Sequence, residues 1–250
     1  AEGPGNTVAN ENIINLNVNN STGIFVEDGA KAELNTGNII NFIPGTSDSL
    51  GVFAHKGEVE FKNVAFDSLI PSLGNKDIDL AASGMTITKA RAEKVLFSEP
   101  YYESAMGVVV KADSSIKDLK DLEGKNISVQ IGTTGADLAA QIAGATLKQF
   151  DHSSEALLEL SNGAVDASVL DLPVAQYYAT KHPDANIKVI PYPNTKKYFG
   201  FAVAKDNKEL QTEVNKALEE MKKNGELNAI YQKWFKTDAP ADMPIEWPGT

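Results

Sequence analysis

Ile127-Ser128-Val129-Gln130-Ile131-Gly132-Thr133-Thr134-Gly135-Ala136 is the stretch on which the fold turns. Ile127–Ile131 reads as a strand, and Thr133-Thr134-Gly135 opens a helix expected over Ala136–Ile142. Upstream, Val59–Phe66 reads as a strand leading to a short helix, Asp67–Leu73. Ile78–Ser83 follows as a brief apolar strand, Thr88–Lys94 as a helical turn, and Met106–Lys111 as a buried, valine-rich strand. Ile116, Leu119 and Leu122 sit at helical spacing, stopped by Gly124.

Downstream come a helix Ser154–Ser161 with Ser154 as its cap, a strand Val165–Leu170, a helix Pro173–Thr180 and a strand Tyr198–Ala204. A long helix from Lys208 to Lys222 carries Leu210, Val214, Leu218 and Met221 on one face. Asn224-Gly225 ends it, and Leu227–Phe235 forms a last helix. Strands alternating with helices imply an α/β fold with parallel sheets covered on both faces, and ligands at the carboxyl ends of strands.

The chain has 250 residues, 42% of them hydrophobic and 23% charged, with a mean hydropathy of -0.24. That is enough for one large or two small domains. The net charge of -11 argues against a nucleic-acid surface, which needs clustered Lys and Arg. There is no cysteine, so disulfides, thiolate metal sites and cysteine nucleophiles are excluded. No apolar run is long enough to span a bilayer, and no leader peptide is recognisable, which suits the mature form of an exported protein.

Before Gly57 the character differs. Asn12-Ile13-Ile14-Asn15-Leu16, Ile24-Phe25-Val26 and Asn38-Ile39-Ile40-Asn41-Phe42 are short β-branched pieces in an Asn- and Gly-rich background. The repeated Asn-Ile-Ile-Asn phrase hints at rungs of a β-solenoid, but two copies are too few to establish a repeat, and a plain strand-and-turn region of biased composition is the better reading.

Three loops after strands carry polar groups. Ala82-Ser83-Gly84-Met85-Thr86-Ile87-Thr88 with Arg91 offers hydroxyls, amides and a guanidinium that can grip both oxygens of a carboxylate. Thr88 as a mere cap and Arg91 as a solvated charge fit the same spacing. Gln130-Ile131-Gly132-Thr133-Thr134-Gly135 presents amides at a helix N-terminus, which favours an anion. No Gly-Lys-Ser/Thr follows, so it is no phosphate loop, and a plain strand-to-helix turn fits as well. Asp171, just before Leu172-Pro173, can pair with an ammonium or cap the helix that Pro173 begins. Two anion-binding features and one cation-binding feature together suit a zwitterion.

Enzyme signatures are missing. His55, His152 and His182 are scattered, and neither a His-Glu-x-x-His spacing nor a Gly-x-Ser-x-Gly elbow occurs. Glu99 and Glu103 flank Pro100, which interrupts a helix there, so they read as surface carboxylates. Neither a metal nor a cofactor is called for.

From Val59 to Phe235 the chain resembles the polar amino-acid receptors of ABC importers, the family 3 periplasmic or extracellular solute-binding proteins. The resemblance rests on several ordered phrases. The first are Phe66-Asp67-Ser68-Leu69-Ile70-Pro71-Ser72-Leu73, Asp77-Ile78-Asp79-Leu80 and Ser83-Gly84-Met85-Thr86-Ile87-Thr88 with Arg91. Then come Phe97-Ser98-Glu99-Pro100-Tyr101-Tyr102, Gly132-Thr133-Thr134-Gly135, Asp171-Leu172-Pro173 and Tyr198-Phe199-Gly200-Phe201-Ala202-Val203. Asn224-Gly225-Glu226-Leu227 and Ile230-Tyr231-Gln232-Lys233-Trp234-Phe235 complete it. Residues 1–57 lack the family's opening strand, aromatic loop and Gly-Phe-Asp helix, and look more like passenger repeats of autotransporter adhesins. Their absence would leave a buried sheet edge unpaired.

The resemblance implies a two-lobed periplasmic-binding-protein-like fold of type II, each lobe a mostly parallel sheet flanked by helices. Lobe one would comprise 1–107 and 201–250 and lobe two 108–200, with hinge strands near 107–111 and 197–201. Arg91 would hold the ligand carboxylate, helped by Thr86 and by amides around Thr133, Thr134 and Gly135. Asp171, the Gly84 carbonyl and the Thr86 hydroxyl, beside Ser83, would take the ammonium. Phe66 would pack on the ligand side chain and Gln130 would lie near its tip. The implied role is a monomeric, exported, non-enzymatic receptor that delivers a free amino acid to a membrane ABC permease, with a lipid anchor on the precursor left open. Glutamine is slightly favoured over arginine, lysine or histidine. The alternatives are a dehydratase or lyase on the same fold and an adhesin-like protein built on the Asn-rich start.

Overall fold

The computed structural model describes the backbone of residues 6–9, 13–16, 31–34, 50–55 and 58–244, and side chains from residue 62 within that range, 193 and 194 excepted. The expected pieces Ile24–Val26 and Asn38–Phe42 lie outside the described residues.

Two sheets organise these residues. The first contains β1 (Asn6–Ala9), β2 (Ile13–Leu16), β3 (Lys31–Leu34), β4 (Leu50–His55), β5 (Glu58–Asn63), β6 (Leu80–Ala81), β7 (Val95–Phe97) and, much later in the chain, β13 (Ala202–Ala204). Their order is β1-β2-β3-β5-β4-β6-β13-β7. The second contains β8 (Tyr102–Lys111), β9 (Asn126–Gln130), β10 (Thr146–Phe150), β11 (Ala167–Asp171) and β12 (Ile187–Phe199), in the order β10-β9-β11-β8-β12. The two-lobed α/β class stands, but the strands are less parallel than expected. In the second sheet β10, β9 and β11 are parallel, β8 runs antiparallel to both of its neighbours β11 and β12, and β12 thus shares the direction of β11. In the first, β2 and β3 are the parallel pair among the described strands.

The path of the chain explains those directions. It leaves the first sheet after β7 and enters the second as β8, then returns from β12 into β13. An outgoing and a returning strand that lie side by side must run in opposite directions. Backbone bonds lace the two crossings together: Ser98 N–H to Phe201 O at 2.8 Å and Tyr101 N–H to Phe199 O at 3.0 Å.

The expected strand Tyr198–Ala204 is therefore two strands, interrupted at Gly200-Phe201 where the chain changes sheets. The first of them extends back to Ile187, through Pro191 and Pro193. Prolines are tolerated because β12 is an edge strand, and the register slips between Tyr192 and Lys197.

β8 is the central support of the second lobe. Val108, Val109 and Val110 are all buried, and alternation sends them to opposite faces. Val108 and Val110 join a core with Ile127, Val129 and Val169, while Val109 packs with Leu157, Leu160 and Ala175. Each such side chain contributes roughly 1.5–3 kcal/mol by leaving water. In the first lobe Leu69, Leu73, Ile78, Met85 and Val95 form the corresponding core.

The helices are α1 (Leu69–Asn75), α2 (Lys89–Ala92), α3 (Thr134–Ala139), α4 (Ser153–Ser161), α5 (Leu172–Lys181), α6 (Lys208–Asn224) and α7 (Glu226–Phe235). α3 begins before the expected Ala136 because the Thr133 hydroxyl accepts from Ala136 N–H and caps it. α4 is capped at His152, not Ser154, with Glu155 reaching back to the His152 N–H. α6 ends as anticipated, with Gly225 in the left-handed region at φ 85°. Next to β6, the place the sequence leaves unfilled, β4 pairs antiparallel through Val52 and Leu80.

Candidate ligand-binding cleft

The loop after β6 is pinned across the returning chain. Ile87 N–H donates to Tyr198 O at 2.9 Å, Gly200 N–H donates to Met85 O at 3.1 Å, and Thr86 bridges to Phe199. The buried Thr86 and the neighbouring Ser83 and Gly84 are thereby fixed beside the crossing. The Ser83 hydroxyl is buried without a hydrogen-bond partner. Tyr101, stacked on Phe201 at 4.3 Å, meets the Gly84 backbone through its hydroxyl, and burial raises its pKa.

Thr88 caps α2, its hydroxyl accepting from Arg91 N–H at 3.2 Å. The cap reading thus holds, but Arg91 is not a solvated charge. Its guanidinium lies 5.2 Å from the Phe66 ring centroid and donates to Thr86 O at 2.7 Å and to Gly132 O at 2.9 Å. Desolvation lowers its pKa, opposed by the charges of Asp171 and Asp137. A guanidinium has five N–H donors, so two carbonyls do not exhaust it.

On the opposite wall stands the turn between β9 and α3. Gly132 adopts φ +74°, and a Cβ built there would lie 2.9 Å from Asp67 Cβ, so the two lobes touch at this point. Thr133 donates to Gln130 O at 2.8 Å as well as capping, and its hydroxyl is fully engaged in shaping the turn. Gly135 packs so closely on β11 that a Cβ would sit 2.7 Å from Val169 O. The amides of Thr134 and Gly135 belong to the first turn of α3, where no intrahelical acceptor is available. The Gln130 side chain is nearly buried and donates from Nε2 to Asp151 O at 2.9 Å, which anchors it to its own lobe.

Asp171 occupies the N-cap position of α5 without a side-chain capping bond. Its Oδ1 is buried and lacks a well-formed hydrogen bond, with Lys197 Nζ 3.5 Å away. Desolvation raises its pKa, and the charges of Lys197 and Arg91 pull the other way. Phe66, Thr86, Gly132 and Asp171 are therefore linked to Arg91 by direct contacts or by charge, while Gly84 joins them through Tyr101 and Thr134 through Lys197, whose Nζ meets the Thr134 hydroxyl.

Lys197 and Tyr101 belong to this constellation and are missed by sequence reasoning. Lys197 sits in the polar run Asn194-Thr195-Lys196-Lys197, which resembles a turn. Strand alternation could have found it. Lys197 and the buried Phe199 are two apart on β12 and share a face, whereas Lys196 pairs with Glu103 at 2.7 Å. Among the described residues, no three His, Asp or Glu side chains gather as a metal site.

The profile of the bacterial extracellular solute-binding proteins, family 3, matches residues 36–237. The chain belongs to that family. The match takes in the end of the segment 1–57 that the sequence phrases set apart. The arginine-binding extracellular protein ArtP of Bacillus subtilis (strain 168) is 34% identical over 181 residues, covering 71% of each chain. The ABC transporter glutamine-binding protein GlnH of the same strain is 32% identical over 193 residues, covering 76% of this chain and 70% of that one. Among solved structures, an ancestral arginine-binding protein bound to arginine superposes with a TM-score of 0.69 at 39% identity, covering 77% of this solute-binding protein and 95% of that chain.

Proposed function

We propose that this solute-binding protein takes up a free polar L-amino acid between its two lobes and hands it to the membrane permease of an ABC importer. The observation that carries the reading is the pairing, within one cleft, of a guanidinium with donors to spare and a buried carboxylate lacking a good hydrogen bond. Arg91 receives the ligand carboxylate with the first-turn amides of α3. Asp171 receives the ammonium, with Thr86, Ser83 and Gly84 beside it, and Phe66 covers the side chain. Family membership supports export and action at the extracellular or periplasmic face; a monomer without catalysis completes the proposal. Glutamine is the favoured ligand; arginine, lysine and histidine are the competing candidates.

Of the hinge strands near 107–111 and 197–201, the second reaches the crossing at Phe199, whereas 107–111 lies further along β8 inside the second sheet, paired with Ile187–Pro191. Closure around a ligand removes its charges from water and strengthens both pairings.

A thermal-shift screen of refolded, ligand-stripped protein against the twenty L-amino acids tests the proposal. A ligand at about a thousand times its Kd adds roughly 4 kcal/mol, which raises Tm by about 8 °C or more at this size. Arg91→Ala should abolish the response while the variant still melts cooperatively. A flat response from folded wild-type protein would sink the reading.

A further inference from the structure

We propose that the cleft also takes carboxylates that carry an oxygen in place of the α-ammonium, 2-oxo acids above all, with Lys197 supplying the cation that such ligands lack. This rests on the reading of Arg91 as the carboxylate clamp and adds a second ligand class to the same site.

Position is the starting point. An amino acid carries its ammonium and its carboxylate on one carbon. Asp171 is the acceptor assigned to the first, and the opening turn of α3 holds donors assigned to the second. Lys197 Nζ lies between the two, 3.5 Å from Asp171 Oδ1 and in hydrogen-bond contact with the Thr134 hydroxyl. A side-chain ammonium thus already fills the place of an α-ammonium. Lys197 and Asp171 are mostly buried, with side chains 13% and 15% exposed, and each satisfies the other's charge. The anion-binding half differs. Arg91 donates to the carbonyls of Thr86 and Gly132, and neither carries a formal charge.

Charge points the same way. Arg91, Lys197 and Asp171 sum to one positive charge, and Asp137, which acts on both cations, is exposed and screened by solvent. A zwitterion is neutral and leaves that surplus unchanged. Its ammonium must also displace Lys197 from Asp171, which costs free energy because a desolvated cation leaves its partner. The flexible stem of Lys197 permits the exchange. A 2-oxo acid brings one negative charge, cancels the surplus and leaves the Lys197–Asp171 pair intact. Its oxo oxygen, beside the carboxylate, comes within reach of Nζ. The pair needs no further partner, yet Nζ has three donors and turns one to the Met106 sulfur at 2.8 Å. A thioether is a weak acceptor, so a ligand oxygen can take its place.

Titration calorimetry of the refolded, ligand-stripped full chain decides the matter, with glutamine, glutamate and arginine set against the 2-oxo acids of the same side chains. Wild-type protein should bind at least one 2-oxo acid within about tenfold of its amino acid. Lys197→Met should shift that ratio about tenfold or more towards the amino acid. It removes both the cation that the 2-oxo acid uses and the competitor that the amino acid displaces. Lys197→Gln gives the same readout should the methionine variant fail to fold. Amino-acid binding with every 2-oxo acid refused, or a ratio unchanged in the variants, overturns the proposal and leaves the receptor standing. Binding of 2-oxo acids alone, lost in the variants, supports it and overturns the amino-acid reading. No binding of any of these compounds by folded wild-type protein, combined with a flat response to the other amino acids, overturns both.

Discussion

The guanidinium of Arg91 donates to the carbonyl of Gly132 at 2.9 Å, joining α2 of the first lobe to the turn before α3 of the second. The same side chain holds Thr86 O in its own lobe at 2.7 Å. Arg91 is thus both the proposed carboxylate clamp and a latch between the lobes. Ligand binding and closure converge on one residue, so a group that engages Arg91 acts directly on the lobe contact.

Gly132 is where that contact can be broken while the Arg91 side chain itself is left in place. Its φ of +74° strains any residue with a side chain, and a Cβ would come within 2.9 Å of Asp67 Cβ and 3.1 Å of its Cα. The obstacle is largely backbone and cannot swing away. Gly132→Ala should hold the lobes apart and weaken amino-acid binding by about tenfold or more, or roughly 1.4 kcal/mol. Small-angle scattering should show a larger radius of gyration at saturating ligand than in wild type. Equal compaction and equal affinity would mean that the lobes do not close at this point.

Gly135 faces its own lobe, so the same substitution there should act on stability. A Cβ would meet Val169 O at 2.7 Å and Leu170 Cα at 3.2 Å, both part of β11. Separating α3 from β11 costs about 1–3 kcal/mol by overpacking. At about 2–4 °C per kcal/mol, Gly135→Ala should lower the ligand-free Tm by roughly 2–12 °C. An unchanged Tm would show that α3 can shift without penalty.

These two glycines illustrate what a sequence discloses. Gly132-Thr133-Thr134-Gly135 reads at once as a strand-to-helix turn, because local rules govern cap and helix start. That one glycine serves the lobe contact and the other the β11 contact is set by residues 65 and 34 positions away. Asp171 shows the same division. Its position before Leu172-Pro173 announces a cap, yet the carboxylate makes no capping bond and faces Lys197. Lys197 is expected only as the start of a hinge strand, because the meeting of its side chain with Asp171 depends on how β12 pairs with β8, which the sequence pattern does not carry. The parallel expectation holds for four of the five strands of the second sheet; the reversal of β8 follows from the crossing between lobes, which propensity does not encode.

The crossing itself is braced from α6. Lys222 Nζ lies 2.9 Å from Glu99 Oε2, and Asn215 Oδ1 accepts from Glu99 N–H at 2.8 Å. Glu99 is 9% exposed while Lys222 is about a quarter exposed, so losing the lysine strands a nearly buried carboxylate. Lys222→Met should cost about 1–3 kcal/mol in urea unfolding, less than for a fully buried pair because water reaches the lysine. Adding Glu99→Gln should recover part of that loss, and strictly additive single effects would deny the coupling.

Acidification should weaken binding and, at this one group, favour the fold. Burial raises the pKa of Asp171 above the usual aspartate value, more than Lys197 and Arg91 lower it. The folded, ligand-free protein therefore holds this proton more tightly than the unfolded chain. Its contribution to stability is present at low pH and is lost as pH rises through the folded pKa. Binding has the opposite sign, because a ligand ammonium needs the ionised carboxylate. From neutral pH down towards the usual aspartate range at about pH 4, affinity should fall, beginning at a higher pH than an exposed aspartate would dictate and approaching tenfold per unit once Asp171 is mostly protonated. Calorimetry across that range measures it, with Asp171→Asn as the reference. The variant should bind weakly and with little dependence on pH. A wild-type affinity that stays flat over the same range would place the ammonium elsewhere in the cleft.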